Sequence, residues 1–212
     1  MRQLWIKVKA GEGTPALNHD IRRCDMEALV PAFIAALLTQ VGDRPAMLTA
    51  ILADRYGRPL LVALAAGLAH AGGNAIAAGG ALWIAPMLTP NAQALLIAIA
   101  LLFAGLGALW PIKRPDRLEH WQLGPLLTPL LAVFVLALGD RTQFLTFAIA
   151  ARGEPWFALA GASFGAFAVA FVAAVLGELG WSRLPFRIFR IATGLLFLAG
   201  AAWVGAGALR LI

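Results

Sequence analysis

Residues 40–55 read QVGDRPAMLTAILADR, and residues 137–152 read ALGDRTQFLTFAIAAR. At a constant offset of 97 the two segments share the pattern G-D-R-x3-L-T-x3-A-x-R, which gives seven identities in 14 positions. Each copy places an aspartate and an arginine side by side within apolar sequence. A repeated motif of this kind predicts a chain built from two related halves, as many membrane transporters are.

The composition around this motif is that of a membrane protein. Of 212 residues, 61% are hydrophobic and 13% are charged, whereas globular chains have about 45–50% apolar and 25% charged residues. The formal net charge of +6 is spread over short loops and forms no continuous basic face, which argues against nucleic acid as a partner. We therefore expect the lipid bilayer as the partner, with no soluble catalytic domain, no cofactor and no enzymatic activity.

Six apolar runs predict transmembrane helices, because each has about the 20 residues that such a helix needs. They comprise residues 29–53, 60–84, 91–110, 123–150, 156–178 and 187–209. The predicted fold is all-α integral membrane, with one repeat at 26–110, a linker at 111–122 and a second repeat at 123–212. Since each repeat has an odd number of helices, the second begins on the opposite side of the membrane, and the repeats are inverted.

Basic residues in the loops predict the orientation. The side reached after the first, third and fifth spans carries eight of them, and the other side carries two when the five in residues 1–25 are left out. The residues counted are Arg55, Arg58, Lys113, Arg114, Arg117, Arg183, Arg187 and Arg190 against Arg152 and Arg210. If the five in residues 1–25 belong to the protein, they weaken the difference between the two sides. Because Lys and Arg accumulate in cytoplasmic loops, we expect a multi-pass protein of the bacterial inner membrane, with the linker in the cytoplasm and both termini outside it.

Residues 1–25 differ from the rest of the chain. They are polar, hold five of the 17 basic residues, and contain no apolar run long enough for a signal peptide. Met26 stands where the membrane sequence begins. Two interpretations remain open, a basic N-terminal tail or translation that starts at Met26.

The four motif charges fall within the first and fourth spans, where a charge facing lipid costs about 2.5–3.5 kcal/mol. They are therefore expected to face the interior of the helix bundle. Neighbouring residues of one helix do not face each other. Pairing across the repeat is predicted instead, Asp43 with Arg141 and Asp140 with Arg44.

Pro45 follows the first charge pair and predicts a kink there. A proline within a helix cannot donate to the carbonyl four residues back, which here belongs to Val41. A freed carbonyl beside a carboxylate suits a hard cation. Thr142 replaces this proline in the second copy, so the two halves of the site are not expected to be equivalent.

These residues resemble the small six-helix cation/proton antiporters that include the Golgi protein called transmembrane protein 165. The hallmark of that family is Glu-x-Gly-Asp-Lys/Arg-Thr/Ser in each half, and QVGDRP at 40–45 and ALGDRTQ at 137–143 are similar to it. The resemblance implies exchange of Ca2+ or Mn2+ for protons, with Asp43 and Asp140 as the metal- and proton-binding residues. The polar ligands would be Gln40, Thr142 and Gln143, and the charge partners would be Arg44 and Arg141.

Two departures from the hallmark reduce the acidic site. Gln40 and Ala137 stand where the family has glutamate, so four carboxylates become two, and two arginines balance them. Because Ca2+ usually binds several carboxylates, we expect altered specificity or loss of transport. Two alternatives therefore stay open. One is an exporter of a small organic solute, and the other is a non-transporting membrane subunit with a vestigial site.

Outside the motif, a few polar and small residues are candidates for helix packing or for support of the ion site. His70 and Asn74 lie one helical turn apart in the second span, where they would either support the ion site or make ordinary hydrogen bonds between helices, which are commoner. Gly161 and Gly165 predict close approach of a neighbouring helix. Glu178 is expected at the membrane interface.

Overall fold

The computed structural model describes residues 28–111 and 114–209. The predicted extension at 1–25, the alternative start at Met26 and Arg210 lie outside these residues. Within the described ranges the chain forms eight α-helices, one 3-10 turn and no β-strand. The helices are α1 Leu29–Gln40, α2 Arg44–Tyr56, α3 Pro59–Ile84, α4 Pro90–Leu109, α5 Gly124–Ala137, α6 Arg141–Arg152, α7 Pro155–Ser182 and α8 Phe186–Ala208, and the 3-10 turn is Ala85–Met87.

The order of helices repeats along the chain, with two short helices followed by two long ones in each half. The long helices α3, α4, α7 and α8 are apolar and long enough to cross a membrane. The pair α5 and α6 forms a fifth candidate span, bent by 66° at its break. Helix α1 is apolar, but its 12 residues are too few to cross alone. The predicted helical membrane fold is thus confirmed, with up to five candidate spans in the described part of the chain.

Two of the predicted spans are broken by turns. Between α1 and α2, and between α5 and α6, the chain makes the same tight turn, with Gly42 at φ 76° and Gly139 at φ 78°. The amide of Asp43 donates to the Gln40 carbonyl at 3.1 Å, and the amide of Asp140 donates to the Ala137 carbonyl at 3.0 Å. Both are therefore type II β-turns, in which the third residue needs a positive φ. The first span does break beside Asp43 and Arg44, as expected, but proline as the expected cause is wrong. Pro45 lies in the first turn of α2, where proline fits well, and the second copy breaks in the same way with Thr142.

Small residues bring the helices close together. α3 and α7 pack against each other, and each also packs against the broken helix pair of the other half. A Cβ on Gly165 of α7 would lie 2.6 Å from the Phe33 carbonyl oxygen of α1, and Gly161 meets α1 in the same way. The close approach predicted from these two glycines is thus confirmed. α4 packs against α6 and α8, which brings its carboxyl end beside Arg141.

The segment between α4 and α5 is held by side chains from two helices. Arg55 of α2 donates to three carbonyl oxygens within residues 118–121, at 2.7, 3.1 and 3.0 Å. Arg117 forms a 2.6 Å salt bridge with Glu178 of α7. The linker is therefore bound to both halves of the protein.

Helix α7 is interrupted beside this linker. Gly177 has φ 66° and non-helical geometry, and it separates the end of the helix from its main part. Asp54 of α2 accepts a 2.7 Å hydrogen bond from the amide of Glu178, the residue after the break. A carboxylate from another helix thus takes the place of an N-cap.

Candidate functional site

The two motif aspartates end the turns and start the helices that follow. Asp43 is the N-cap of α2 and Asp140 is the N-cap of α6, and both have extended backbone geometry. Asp43 Oδ1 accepts a 2.8 Å hydrogen bond from the Arg44 amide. The free amides of a helix N-terminus stabilise a carboxylate there by about 0.3–1 kcal/mol. The repeat therefore places one carboxylate from each half at the start of a half-helix.

The two turns meet at a single cavity of about 270 Å3. Its walls include both aspartates and both arginines of the repeated motif, together with Gly107, Trp110 and Pro111 at the end of α4. One water molecule takes up about 30 Å3 in the liquid. The cavity thus has room for an ion with several water molecules.

Arg141 lies between the two carboxylates. Its Nη2 is 2.7 Å from Asp43 Oδ2, and its Nε is 3.9 Å from Asp140 Oδ1. The predicted pairing of Asp43 with Arg141 is thus confirmed. Asp43 Oδ2 is buried and accepts no hydrogen bond from the described residues. The arginine therefore neutralises this oxygen at ion-pair distance without occupying it with a directed N–H.

Arg44 does not make the reciprocal pair. The predicted bridge between Arg44 and Asp140 is absent from residues 28–111 and 114–209, so this part of the prediction is wrong. The exposed Arg44 side chain lines both the motif cavity and an adjoining cavity of about 360 Å3. Arg141, in contrast, crosses α4 at Gly107, where a Cβ would lie only 2.5 Å from its Cδ. The same motif therefore meets different surroundings in the two halves.

A buried layer of uncharged groups lies behind the cavity. Gln40 Nε2 donates to Thr142 Oγ1 at 3.1 Å, and the Thr142 hydroxyl donates to Asp140 Oδ2 at 3.3 Å. Thr39 shares a 2.9 Å hydrogen bond with the same hydroxyl. Gln40 and Thr142 thus reach the site through Asp140 and do not line the cavity. Thr39 lies outside the motif and was not predicted as a site residue. It could have been identified as the polar residue directly before Gln40 in an apolar helix.

Three other predicted residues lie further from the cavity. Gln143 Oε1 accepts a 3.1 Å hydrogen bond from the amide of Gly139, so this side chain supports its own turn. His70 Nδ1 is 3.4 Å from Gln40 Nε2, which places the imidazole behind the uncharged layer. Asn74 donates to a serine hydroxyl of α7 at 3.3 Å and therefore joins two helices.

A third arginine reaches the site from α8. Arg190 Nε donates to the Ala108 carbonyl at 3.1 Å, and the same guanidinium donates to the Trp110 carbonyl at the end of α4. It thus holds the end of α4 that forms one wall of the cavity. The motif does not identify Arg190, which in the sequence is one of several loop-side arginines. The described residues contain no cluster of three or more His, Cys, Asp or Glu side chains that would hold a metal ion.

The sequence is similar to a family of ion transporters. The model of the family described as divalent cation/proton antiporter GDT1 matches residues 28–116 and 125–210. A protein from Vibrio cholerae serotype O1 with the name "Putative manganese exporter" is 26% identical over 176 residues, which cover 82% of this chain and 88% of that protein. A "GDT1-like protein" from Synechocystis sp. is 29% identical over 196 residues, covering 80% of this chain and 94% of its own.

No solved structure matches this chain. The family assignment therefore stands on sequence alone. The two segments that match the family model contain the two aspartates, the two turns and nearly all of the described helices. Because they cover well over half of the chain, the protein belongs to the GDT1 family of divalent cation/proton antiporters.

Proposed function

We propose that this protein is an inner-membrane antiporter that exchanges Mn2+ for protons at Asp43 and Asp140. Its family consists of membrane transporters, so the protein is a multi-pass transporter and not an enzyme. Manganese is the ion in the name of the Vibrio cholerae relative. Ca2+ is the second choice, because it usually binds more carboxylates than the two that this cavity offers.

The observation that carries the proposal is the position of the two carboxylates. Each stands at a break between two half-helices, and both line one cavity. Discontinuous helices form the ion sites of many secondary transporters, because backbone groups freed at the break help to hold the ion. Charged groups are costly to keep in an interior of low dielectric constant, and those within membrane-spanning segments are usually functional. Ion or proton binding supplies that function.

Antiport follows if the cation and protons compete for the same oxygens. A carboxylate that carries a proton binds a divalent cation poorly, so the two loaded states exclude each other. The uncharged layer of Gln40 and Thr142 keeps Asp140 oriented in both states. Gln143 supports the turn that positions the same aspartate. The reduced acidic site, with Gln40 and Ala137 in place of glutamates, would make the affinity for the ion modest.

The proposed architecture has six spans arranged as two inverted repeats. In this arrangement α1 and α2 together form the first span, as α5 and α6 form the fourth. The exchange of packing partners supports it, since α1 packs on α7 while α5 packs on α3. The loop charges favour a cytoplasmic linker and two termini on the other side.

The test is transport by everted inner-membrane vesicles that contain the wild type or single variants. With a proton gradient imposed, we expect uptake of Mn2+ by the wild type and none by Asp43→Asn or Asp140→Asn. Glu119→Gln is the matched control, because Glu119 is an exposed acid in the linker. Its uptake should equal that of the wild type.

Each alternative corresponds to a different result of the same experiment. Normal Mn2+ flux in both aspartate variants would limit these residues to a structural role. Proton-driven uptake of amino acids without any uptake of Mn2+ or Ca2+ would favour the exporter of an organic solute. A folded wild type that moves none of these substrates would favour the vestigial subunit.

A further inference from the structure

Arg141 occupies the place between the carboxylates where a bound cation would be expected. Its guanidinium is 2.7 Å from Asp43 and 3.9 Å from Asp140, and only 16% of its side chain is exposed. The side chain is part of a fitted contact, because Gly107 provides the space through which it passes. A positive charge that belongs to the protein therefore lies between the two carboxylates.

The contact has the features of a replaceable ion pair. Asp43 Oδ2 accepts no well-directed hydrogen bond from the described residues, so its contact with Arg141 is an ion pair that a metal ion would be able to replace. Divalent cations such as Mg2+ and Ca2+ bind carboxylate oxygens at about 2.0–2.6 Å, closer than the 2.7 Å that separates Arg141 from this oxygen. The cavity of about 270 Å3 that Arg141 lines would accommodate the displaced guanidinium.

The second copy of the motif supplies a comparison within the same molecule. Arg44 stands at the equivalent position and lines the same cavity, but it forms no salt bridge within the described ranges. Its side chain is exposed. Any general effect of positive charge on ion binding should therefore come from both arginines, whereas direct competition should come from Arg141 alone.

We infer that Arg141 is a tethered competitor of the transported cation, which neutralises Asp43 and Asp140 when the site is empty and leaves when the ion enters. This inference rests on the proposed function. Arg141 lowers the affinity for the ion, and in return it stabilises the ion-free protein and speeds release. It is thus a residue that sets the balance between affinity and turnover.

The test compares Arg141→Gln with Arg44→Gln in two measurements. The first is equilibrium binding of Mn2+ to purified protein in detergent, with free Mn2+ followed by electron paramagnetic resonance. The second is KM and maximal rate for Mn2+ in everted vesicles. We expect Arg141→Gln to bind Mn2+ roughly tenfold tighter, which corresponds to about 1.4 kcal/mol, and to have both a lower KM and a lower maximal rate. Arg44→Gln should tighten binding much less.

Two further variants separate competition from a structural role. Arg141→Lys keeps the tethered charge, so its affinity should stay close to that of the wild type. Arg58→Gln removes an exposed arginine outside the site and should change neither measurement. If Arg141→Gln does not fold, Gly107→Ala keeps the charge but crowds its path, and it should tighten Mn2+ binding to a smaller degree.

The possible results distinguish this inference from the proposed function. Unchanged or weaker Mn2+ binding by a folded Arg141→Gln, beside a wild type that transports Mn2+, would overturn the tethered competitor alone. Equal tightening in Arg44→Gln and Arg141→Gln would overturn it as well, because the effect would then be general electrostatics. A folded wild type that neither binds nor transports Mn2+ or Ca2+ would overturn both.

Discussion

Gly139→Ala tests whether the turn between α5 and α6 requires glycine. Gly139 has φ 78°, and a Cβ added there meets no atom within 4 Å. The cost is therefore backbone strain without a clash. An L-residue in this region is disfavoured by about 1–2 kcal/mol, and in a chain of this size each kcal/mol lowers the melting temperature by roughly 2–4 °C. We expect Gly139→Ala to melt roughly 2–8 °C below the wild type.

Gly42→Ala at the equivalent turn should be worse. Its φ is 76°, and its added Cβ would lie 3.0–3.2 Å from the Phe186 side chain, so a clash adds to the strain. Gly79→Ala is the matched control, because Gly79 lies within α3 and also has open space around it. Alanine there should be neutral or should stabilise by about 0.5–1 kcal/mol. Gly139→Asn should lie between the wild type and Gly139→Ala, since asparagine tolerates positive φ.

The assay is thermal unfolding in detergent, followed by circular dichroism, together with Mn2+ transport by the same proteins. Gly139→Ala should lose transport as well as stability, because the turn sets the position of Asp140. A melting temperature and a transport rate equal to those of the wild type would refute the argument. The break would then not depend on a left-handed residue.

The remaining predictions concern orientation, affinity and the linker. Alkaline phosphatase fused after α8 should be active and the same enzyme fused within the linker inactive, and the opposite pattern would reverse the proposed topology. Gln40→Glu is nearly isosteric and should tighten Mn2+ binding several-fold in equilibrium measurements. Ala137 is only 1% exposed, so Ala137→Glu should lower the melting temperature. Asp54→Ala removes the carboxylate bound to the Glu178 amide and should destabilise the protein by about 1 kcal/mol, as the loss of an N-cap does. An unchanged melting temperature would show that this contact contributes nothing.

The sequence predicts the helical membrane fold and the meeting of the two motifs, because both follow from hydrophobicity and repetition. It predicts the wrong cause for the break in the first span. Proline is the familiar helix breaker, but Pro45 is compatible with the first turn of α2, and the glycines before the aspartates change the chain direction in both halves. Identical glycines at equivalent positions were visible in the sequence. Their place as the third residue of a tight turn becomes visible only in the structure.

The unequal pairing of the two arginines could not be predicted from the motif, since both copies have the same Gly-Asp-Arg. The difference arises from residues outside it. Gly107 leaves a path for Arg141 across α4, whereas Arg44 is exposed and lines the adjoining cavity of about 360 Å3 as well as the motif cavity. The contact of Arg190 with the end of α4 was hidden for a similar reason, because it joins residues that are about 80 positions apart.

The contacts of the linker imply that the two halves do not depend on a continuous backbone to stay together. Arg55 binds the linker from α2, and Arg117 binds Glu178 of α7 from the linker. After a cut between residues 111 and 114, the Arg55 contacts would still join the two fragments, and the salt bridge of Arg117 with Glu178 would lie within the second one. Two fragments translated from separate genes should therefore assemble in the membrane into one transporter, which makes this linker a natural point for fission or fusion of the gene.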